Sequence, residues 1–253
     1  MLIKLFNALT NPESFWRELL RYGLLSKRRS PKDWFLFRHE VTRECAIRRE
    51  MPGGPVKKYL EDLFSGIDKS CCRIRLLRPN AYNVSWEEIV SISQLVAFFS
   101  PQTLFEFGTF NGRTTLHLAL NAPDQAVVYT IDIKKGQFEF GADTPFFTNM
   151  QVGECFLGSS VEKKIVMLTG DSKRFDFKQF NNGIGFILID GDHSYDAVMN
   201  DSKIAFQMVS PGGLIVWHDY LLVNDVTRAI LDISKDRELF NLKNTSLVIW
   251  QKP

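Results

Sequence analysis

A chain of 253 residues, 45% hydrophobic and 24% charged, is long enough to bury a core and too apolar to stay disordered. No apolar run reaches the roughly 20 residues of a membrane-spanning helix, and the first residues lack the apolar stretch and cleavage site of a secretory leader. The net charge of +2 is unevenly placed: residues 1–84 hold 17 Lys+Arg against 9 Asp+Glu, leaving 14 against 20 for the remainder.

The basic third suits an anionic partner, a solvated face or a subunit interface. Cys45, Cys71, Cys72 and Cys155 lack the C-x-x-C spacing of a zinc site. The neighbours Cys71 and Cys72 could bridge each other only with strain. Reduced thiols and a cytoplasmic location are the expectation.

In chain order, Asn11-Pro12-Glu13 opens a helix in which Phe15, Trp16, Leu19, Leu20 and Tyr22 keep helical spacing. Gly23 and the cluster Lys27-Arg28-Arg29 end it. A second amphipathic run covers residues 33–49 and stops at Met51-Pro52-Gly53-Gly54-Pro55, and a third helix is expected over 56–64. Residues 1–84 therefore read as a helical extension, serving as a lid, a dimer contact or a surface contact. Ser85 and Glu88 form a capping box that opens a helix running to Phe99, before Pro101.

Strand candidates at 103–107, 127–133, 165–168, 186–190 and 214–217 then alternate with helical stretches. Nearly continuous apolar runs of this kind belong to parallel strands covered on both faces. Residues 85–253 thus predict an α/β domain with a Rossmann-like, doubly wound sheet. Runs at 238–242 and 246–251, around Lys243-Asn244-Thr245, predict a terminal hairpin. The long, Phe-rich connection at 134–160 reads as a substrate lid or as a patch packed on the N-terminal helices.

Chemistry concentrates at the strand ends. The first strand runs into Gly108-Thr109-Phe110-Asn111-Gly112, then a helix, which lets backbone approach a ligand closely. Asp132 ends the second strand, where a carboxylate can accept from both ribose hydroxyls of a nucleoside. Asp171-Ser172 follow the third strand and suit either an adenine contact or a helix cap. Asp190-Gly191-Asp192-His193-Ser194-Tyr195 ends the fourth, and Trp217-His218-Asp219-Tyr220 the fifth. If these strands are neighbours, Asp190, His193, His218 and Asp219 converge. Such a set could hold a divalent cation, or supply a histidine base. His39 and His117 stand without such company and read as structural.

The segments 106–115, 129–132, 189–195 and 211–220 resemble class I S-adenosylmethionine (SAM)-dependent methyltransferases. Within them they are most similar to the small-molecule branch of macrocin O-methyltransferase-like and cephalosporin hydroxylase-like proteins. The resemblance covers residues 85–253 and implies a seven-stranded sheet with an antiparallel last strand.

It places Glu106, Gly108 and Gly112 around the methionine end of SAM, with Thr109, Asn111 and Thr114 as further cofactor contacts. Asp132 would bind ribose, Asp171 and Ser172 the adenine side, and Asp190, Asp192 and His193 the floor beneath the sulfonium. Metal-using relatives hold magnesium with an acid after the fourth strand and an acidic pair after the fifth. Asp190 and Asp219 match, whereas His218 departs from the pair, and imidazole is a poorer ligand for a hard cation. A softer metal or none is equally compatible.

The implied reaction is O-methylation of a hydroxyl on a small molecule or sugar. His193 or His218 would be the base, or a metal at Asp190, Asp219 and His218 would lower the hydroxyl pKa. Two rival readings stand: a hydroxylase-type or binding protein that kept the fold without methyl transfer, and a nucleic-acid methyltransferase. The second lacks a recognition motif and has an acidic catalytic half, so no nucleic-acid partner is expected. The N-terminal helices suit a homodimer contact.

Overall fold

Strand Thr103–Phe107 (β2) sends alternate side chains to opposite faces of a sheet: Leu104 faces one layer of helices, and Phe105 and Phe107 face the other. The computed structural model describes residues 40, 42–77, 82–133 and 151–253. The expected first helix, the basic cluster, His39 and most of the lid segment lie outside these residues. The chain divides into two compact units, Met1–Arg49 and Glu50–Pro253. In the first, residues 42–47 are helical, and Ala46 and Ile47 are buried.

The second unit begins with β1 (Val56–Lys58) and the short helix α1 (Leu60–Leu63). After α2 (Trp86–Phe99) and β2 come α3 (Arg113–Asn121), β3 (Val127–Asp132), β4 (Ile165–Thr169) and β5 (Ile184–Ile189). Then follow α4 (Tyr195–Met208), β6 (Val209–Trp217), α5 (Asn224–Ile233), β7 (Phe240–Leu242) and β8 (Val248–Gln251). The sheet order is β1-β7-β8-β6-β5-β2-β3-β4. Only β8 runs antiparallel to its neighbours, as the expected terminal hairpin requires.

The sheet has eight strands rather than seven, because residues 56–58 add an edge strand parallel to β7 where a helix was expected. Backbone pairing along the three residues of β7 overrides the local helical pattern, and Lys243 N–H donates to Lys58 O at 2.9 Å. The compact unit that bears the sheet begins at Glu50. Pro211-Gly212-Gly213 lies inside β6 at a register break, with Gly212 at φ 75°.

Helices α2 and α3 cover one face through Ile89, Ile92, Leu95, Leu116 and Leu118. Helices α4 and α5 cover the other through Val198, Ala205, Val226 and Ile230. There Phe105, Phe107, Phe177 and Phe180 form an aromatic cluster with centroids 5.0–6.5 Å apart. Each buried ring is worth about 1.5–3 kcal/mol of transfer free energy, which places the strand firmly. No helix among the described residues is long and apolar enough to cross a membrane.

Candidate active site

The sheet order reverses direction between β2 and β5, since β3 and β4 lie to one side and β6 to the other. Open α/β sheets bind ligands outside the carboxyl ends of the strands at such a point. The loop after β2 enters it under tight constraint. Gly108 has φ 93°, and a Cβ there would lie 2.1 Å from the Asp190 carbonyl oxygen. Gly112 has φ 77°, caps α3, and leaves room for the ring of buried Phe156.

Asp132, at the end of β3, grips this loop. Its Oδ2 accepts from the backbone N–H of Thr109 (3.0 Å) and Phe110 (2.7 Å), and Oδ1 from Ile133 N–H (2.8 Å). Burial pushes its pKa up, against the pull of the three amides. The loop carbonyls are engaged too: Phe110 O accepts from Gly153 N–H and Asn111 O from Cys155 N–H, each at 2.9 Å.

Glu106 lies beneath the loop, 1% exposed. Its Oε2 accepts from Thr115 Oγ1 (2.5 Å) and Thr130 Oγ1 (2.6 Å). Burial pushes the carboxyl up to about 8, outweighing the two hydroxyl hydrogen bonds that lower it. Thr109, Asn111 and Thr114 are likewise buried, and Asn111 Oδ1 accepts from Arg113 N–H at 3.2 Å.

The adenine-side candidates follow β4, where Gly170 N–H donates to Asp132 O at 2.9 Å and so aligns the two strand ends. Asp171 Oδ1 accepts from Lys173 N–H, and Ser172 hydrogen-bonds Asp201 of α4. Burial pushes Asp201 up to about 6, against the Ser172 and Asn200 hydrogen bonds.

On the other side, Asp190 N–H donates to Phe107 O and His218 N–H to Ile189 O, so β2, β5 and β6 end in line. His193 Nε2 lies 2.8 Å from Asp219 Oδ2. Burial pulls the His193 pKa down, but the hydrogen bond and charge of Asp219, with Asp190, outweigh it and raise it. His218 Nδ1 lies 3.0 Å from Asp190 Oδ1 and 3.1 Å from Asp219 Oδ1, and its Nε2 lies 3.2 Å from Glu88 Oε2.

Burial pulls His218 down as well, yet the charges of Asp219, Asp190 and Glu88 hold it well above the ordinary value. Asp219, at φ 64°, is pushed up by burial but ends far below the usual carboxylate range because His218 and His193 face it. Asp192 is exposed and accepts from Ser194 N–H at the start of α4.

Gly108, Asp132, Asp190, His193, His218 and Asp219 thus lie at the carboxyl ends of β2, β3, β5 and β6, along one edge of the sheet. Three things differ from the sequence-based expectations. Glu106 is pinned under the loop by two threonines. Asp132 spends three hydrogen bonds on its own chain. His218, expected as base or ligand, has both ring nitrogens turned to carboxylates, and the donors that face one another as a group are Asp190, His193 and Asp219, within 4.8 Å.

Glu88 was legible only as a capping residue. Its role beside His218 had no local signal, whereas Thr130, a polar residue inside an apolar strand, hinted at the buried partner of Glu106. His117 is structural as expected: it is buried, with Nδ1 2.7 Å from Arg113 O and Nε2 accepting from Arg75 N–H at 3.2 Å.

Residues 105–220 match the family model described as a methyltransferase domain. An uncharacterised protein of Acanthamoeba polyphaga mimivirus is 49% identical over 39 residues, which is 15% of this chain and 18% of that protein. A Klebsiella pneumoniae protein assigned as an O-methyltransferase superposes with a TM-score of 0.53 at 15% identity, over 69% of this chain and 84% of that one.

The SAM-bound O-methyltransferase TomG of Streptomyces achromogenes gives 0.50 at 13% identity, over 68% and 83% of the two chains. The SAH-bound Podospora anserina methyltransferase PaMTH1 gives 0.50 at 14% identity, over 70% and 83%. At these identities the three structures speak for the fold, and the family model for the domain. Residues 105–220 thus match a methyltransferase domain, on a fold that the three superposed structures share.

Proposed function

We propose that the chain transfers the methyl group of SAM to a hydroxyl of a small molecule or sugar, with His193 as base. One observation carries the reading: a rigid glycine loop, a nucleoside-suited acid at Asp132 and the His193–Asp219 pair sit side by side at the switch point of the sheet. The residues fit the cofactor: Gly108 and Gly112 keep backbone bare, and Asp132, with three backbone amides on its carboxylate, keeps one acceptor site on Oδ1 for a ribose hydroxyl. Asp171, Ser172 and the 190–193 turn flank that position on either side. SAM supplies a methyl on a sulfonium that already leaves readily.

The protein's part is alignment and proton removal. Asp219 accepts from Nε2 of neutral His193 and so fixes the tautomer and orientation of that ring. Two of the superposed proteins are assigned as O-methyltransferases, which favours oxygen as the acceptor atom.

Calorimetry with SAM tests the cofactor step, and Asp132→Ala should abolish that binding. Labelled-methyl transfer to a panel of hydroxylated metabolites tests the reaction. His193→Ala should bind SAM normally and lose about 100-fold or more in turnover. Full turnover in that variant would remove its base role, and SAM binding without transfer to any acceptor would favour a fold-sharing binding protein.

A further inference from the structure

The two edges of the sheet are built differently. At one end β1 is three residues long, follows Pro55 and carries Lys57 and Lys58, features that keep a strand edge from pairing with another chain. At the other end β4 is five residues long, and Ile165-Val166-Met167-Leu168-Thr169 holds neither a charge nor a proline. Val166 is 39% and Met167 46% exposed. As consecutive strand residues they point to opposite faces, so apolar surface is open to solvent on both. Between β3 and β5 the described residues form no helix longer than a single 3-10 turn that could cover this edge.

The free backbone groups of β4 follow from its register. Gly108 N–H donates to Ile131 O, whereas Gly170 N–H donates to Asp132 O, so at the end of β3 the group of Ile131 faces β2 and that of Asp132 faces β4. Peptide groups alternate in direction along a strand, so Val166 and Leu168 bond to β3 while Ile165, Met167 and Thr169 turn theirs outward. Ile165 N–H is taken by Glu162 O. The outward groups that remain are the N–H and C=O of Met167 and Thr169 and the C=O of Ile165.

We propose that β4 pairs antiparallel with β4 of a second copy of this chain, about a two-fold axis at Met167, joining two sheets into one. In that register each Met167 exchanges N–H···O=C bonds with the other, and each Thr169 N–H donates to the opposite Ile165 C=O. The one outward group already engaged, Ile165 N–H, is not needed. Val166 of each copy stands across from Leu168 of the other and covers apolar surface that a lone chain leaves bare.

The same register sets exposed Lys163 of one copy opposite exposed Asp171 of the other, once on each side of the axis. Opposite charges that fall under the same axis as the backbone groups favour a second copy over an unrelated strand.

A single strand pair is a small interface, so sedimentation velocity of the full chain from about 2 to about 200 µM should follow the mass from one chain to two. Met167→Pro removes the N–H at the axis and leaves the bonds of Val166 and Leu168 to β3 in place, as an edge strand allows. It should keep the parent's circular dichroism and stay monomeric throughout. Lys163→Glu puts like charges across the axis and should weaken association at least about tenfold at low salt.

Amide hydrogen exchange reads the register without any variant. Over the same concentrations the Met167 and Thr169 amides should slow by about tenfold, while those of Val166 and Leu168 stay slow at every concentration. This decides the matter even if Met167→Pro fails to fold. A parent that remains one chain at about 200 µM would overturn the proposal. A dimer whose Met167 and Thr169 amides do not slow would overturn it too, because another surface then holds the copies together. So would slow Met167 and Thr169 amides in the monomer, because the same chain then covers the edge.

Discussion

Gly108 has the least freedom of any residue in the site. At φ 93° any side chain is strained, by about 1–3 kcal/mol, and its Cβ would meet the Asp190 carbonyl oxygen at 2.1 Å. Gly108→Ala must push β2 from β5, so it should lower the melting temperature by several degrees and abolish SAM binding in calorimetry. An alanine variant that binds SAM like the parent would show that the close approach does not matter.

Glu106 makes a different prediction. Its folded pKa of about 8 lies above the ordinary 4.5, so the folded state holds a proton that the unfolded state has released. The stabilisation is full below about 4.5, is lost as pH climbs, and is gone above about 8, at up to roughly 1.4 kcal/mol per pH unit in that window. Glu106→Gln has no proton to lose. Urea melts between pH 5 and 9 should show a declining stability in the parent that is flatter in the variant, and parallel curves would refute the buried proton.

At the scale of elements, α2 joins folding to chemistry. Ser85 caps it, with Glu88 N–H donating to Ser85 Oγ at 3.3 Å while Glu88 reaches back to Ser85 N–H at 3.1 Å. The sequence showed this box in full, because a cap is a local arrangement of four residues. It could not show that the same carboxylate reaches Ser246 and His218. Ser85→Ala should cost about 1 kcal/mol in urea unfolding, as lost caps do. A cost near zero would mean that Ser246 and His218 alone hold Glu88.

Strand β1 teaches the converse. Residues 56–58 read as the start of a helix, and the backbone of β7, open on that side, recruited them instead. No periodicity in three residues could have announced it.

For the molecule as a whole, the boundary between compact units at 49/50 has a consequence. A fragment of residues 50–253 contains all eight strands and every residue of the candidate site. It should therefore fold cooperatively and bind SAM within about threefold of the full chain, since this sheet buries its own core. Circular dichroism melts and calorimetry check this. A fragment that fails to fold would show that residues 1–49 complete the core.

By itself the sequence determined seven of the eight strands, the glycine loop and the acids at the strand ends, because apolar runs, bare backbone and strand termini are written in neighbouring residues. It placed Gly108, Asp132, Asp190 and His193 together once the sheet was assumed parallel. Only the tertiary structure decided what each charged group faces. Glu106 is closed in by Thr115 and Thr130, Asp132 holds the loop amides, and His218 sits between Glu88 and two aspartates. The reason is physical: the chemistry of a carboxylate or an imidazole depends on burial and on partners a few ångströms away, and here most of those partners lie 9 to 130 residues apart along the chain.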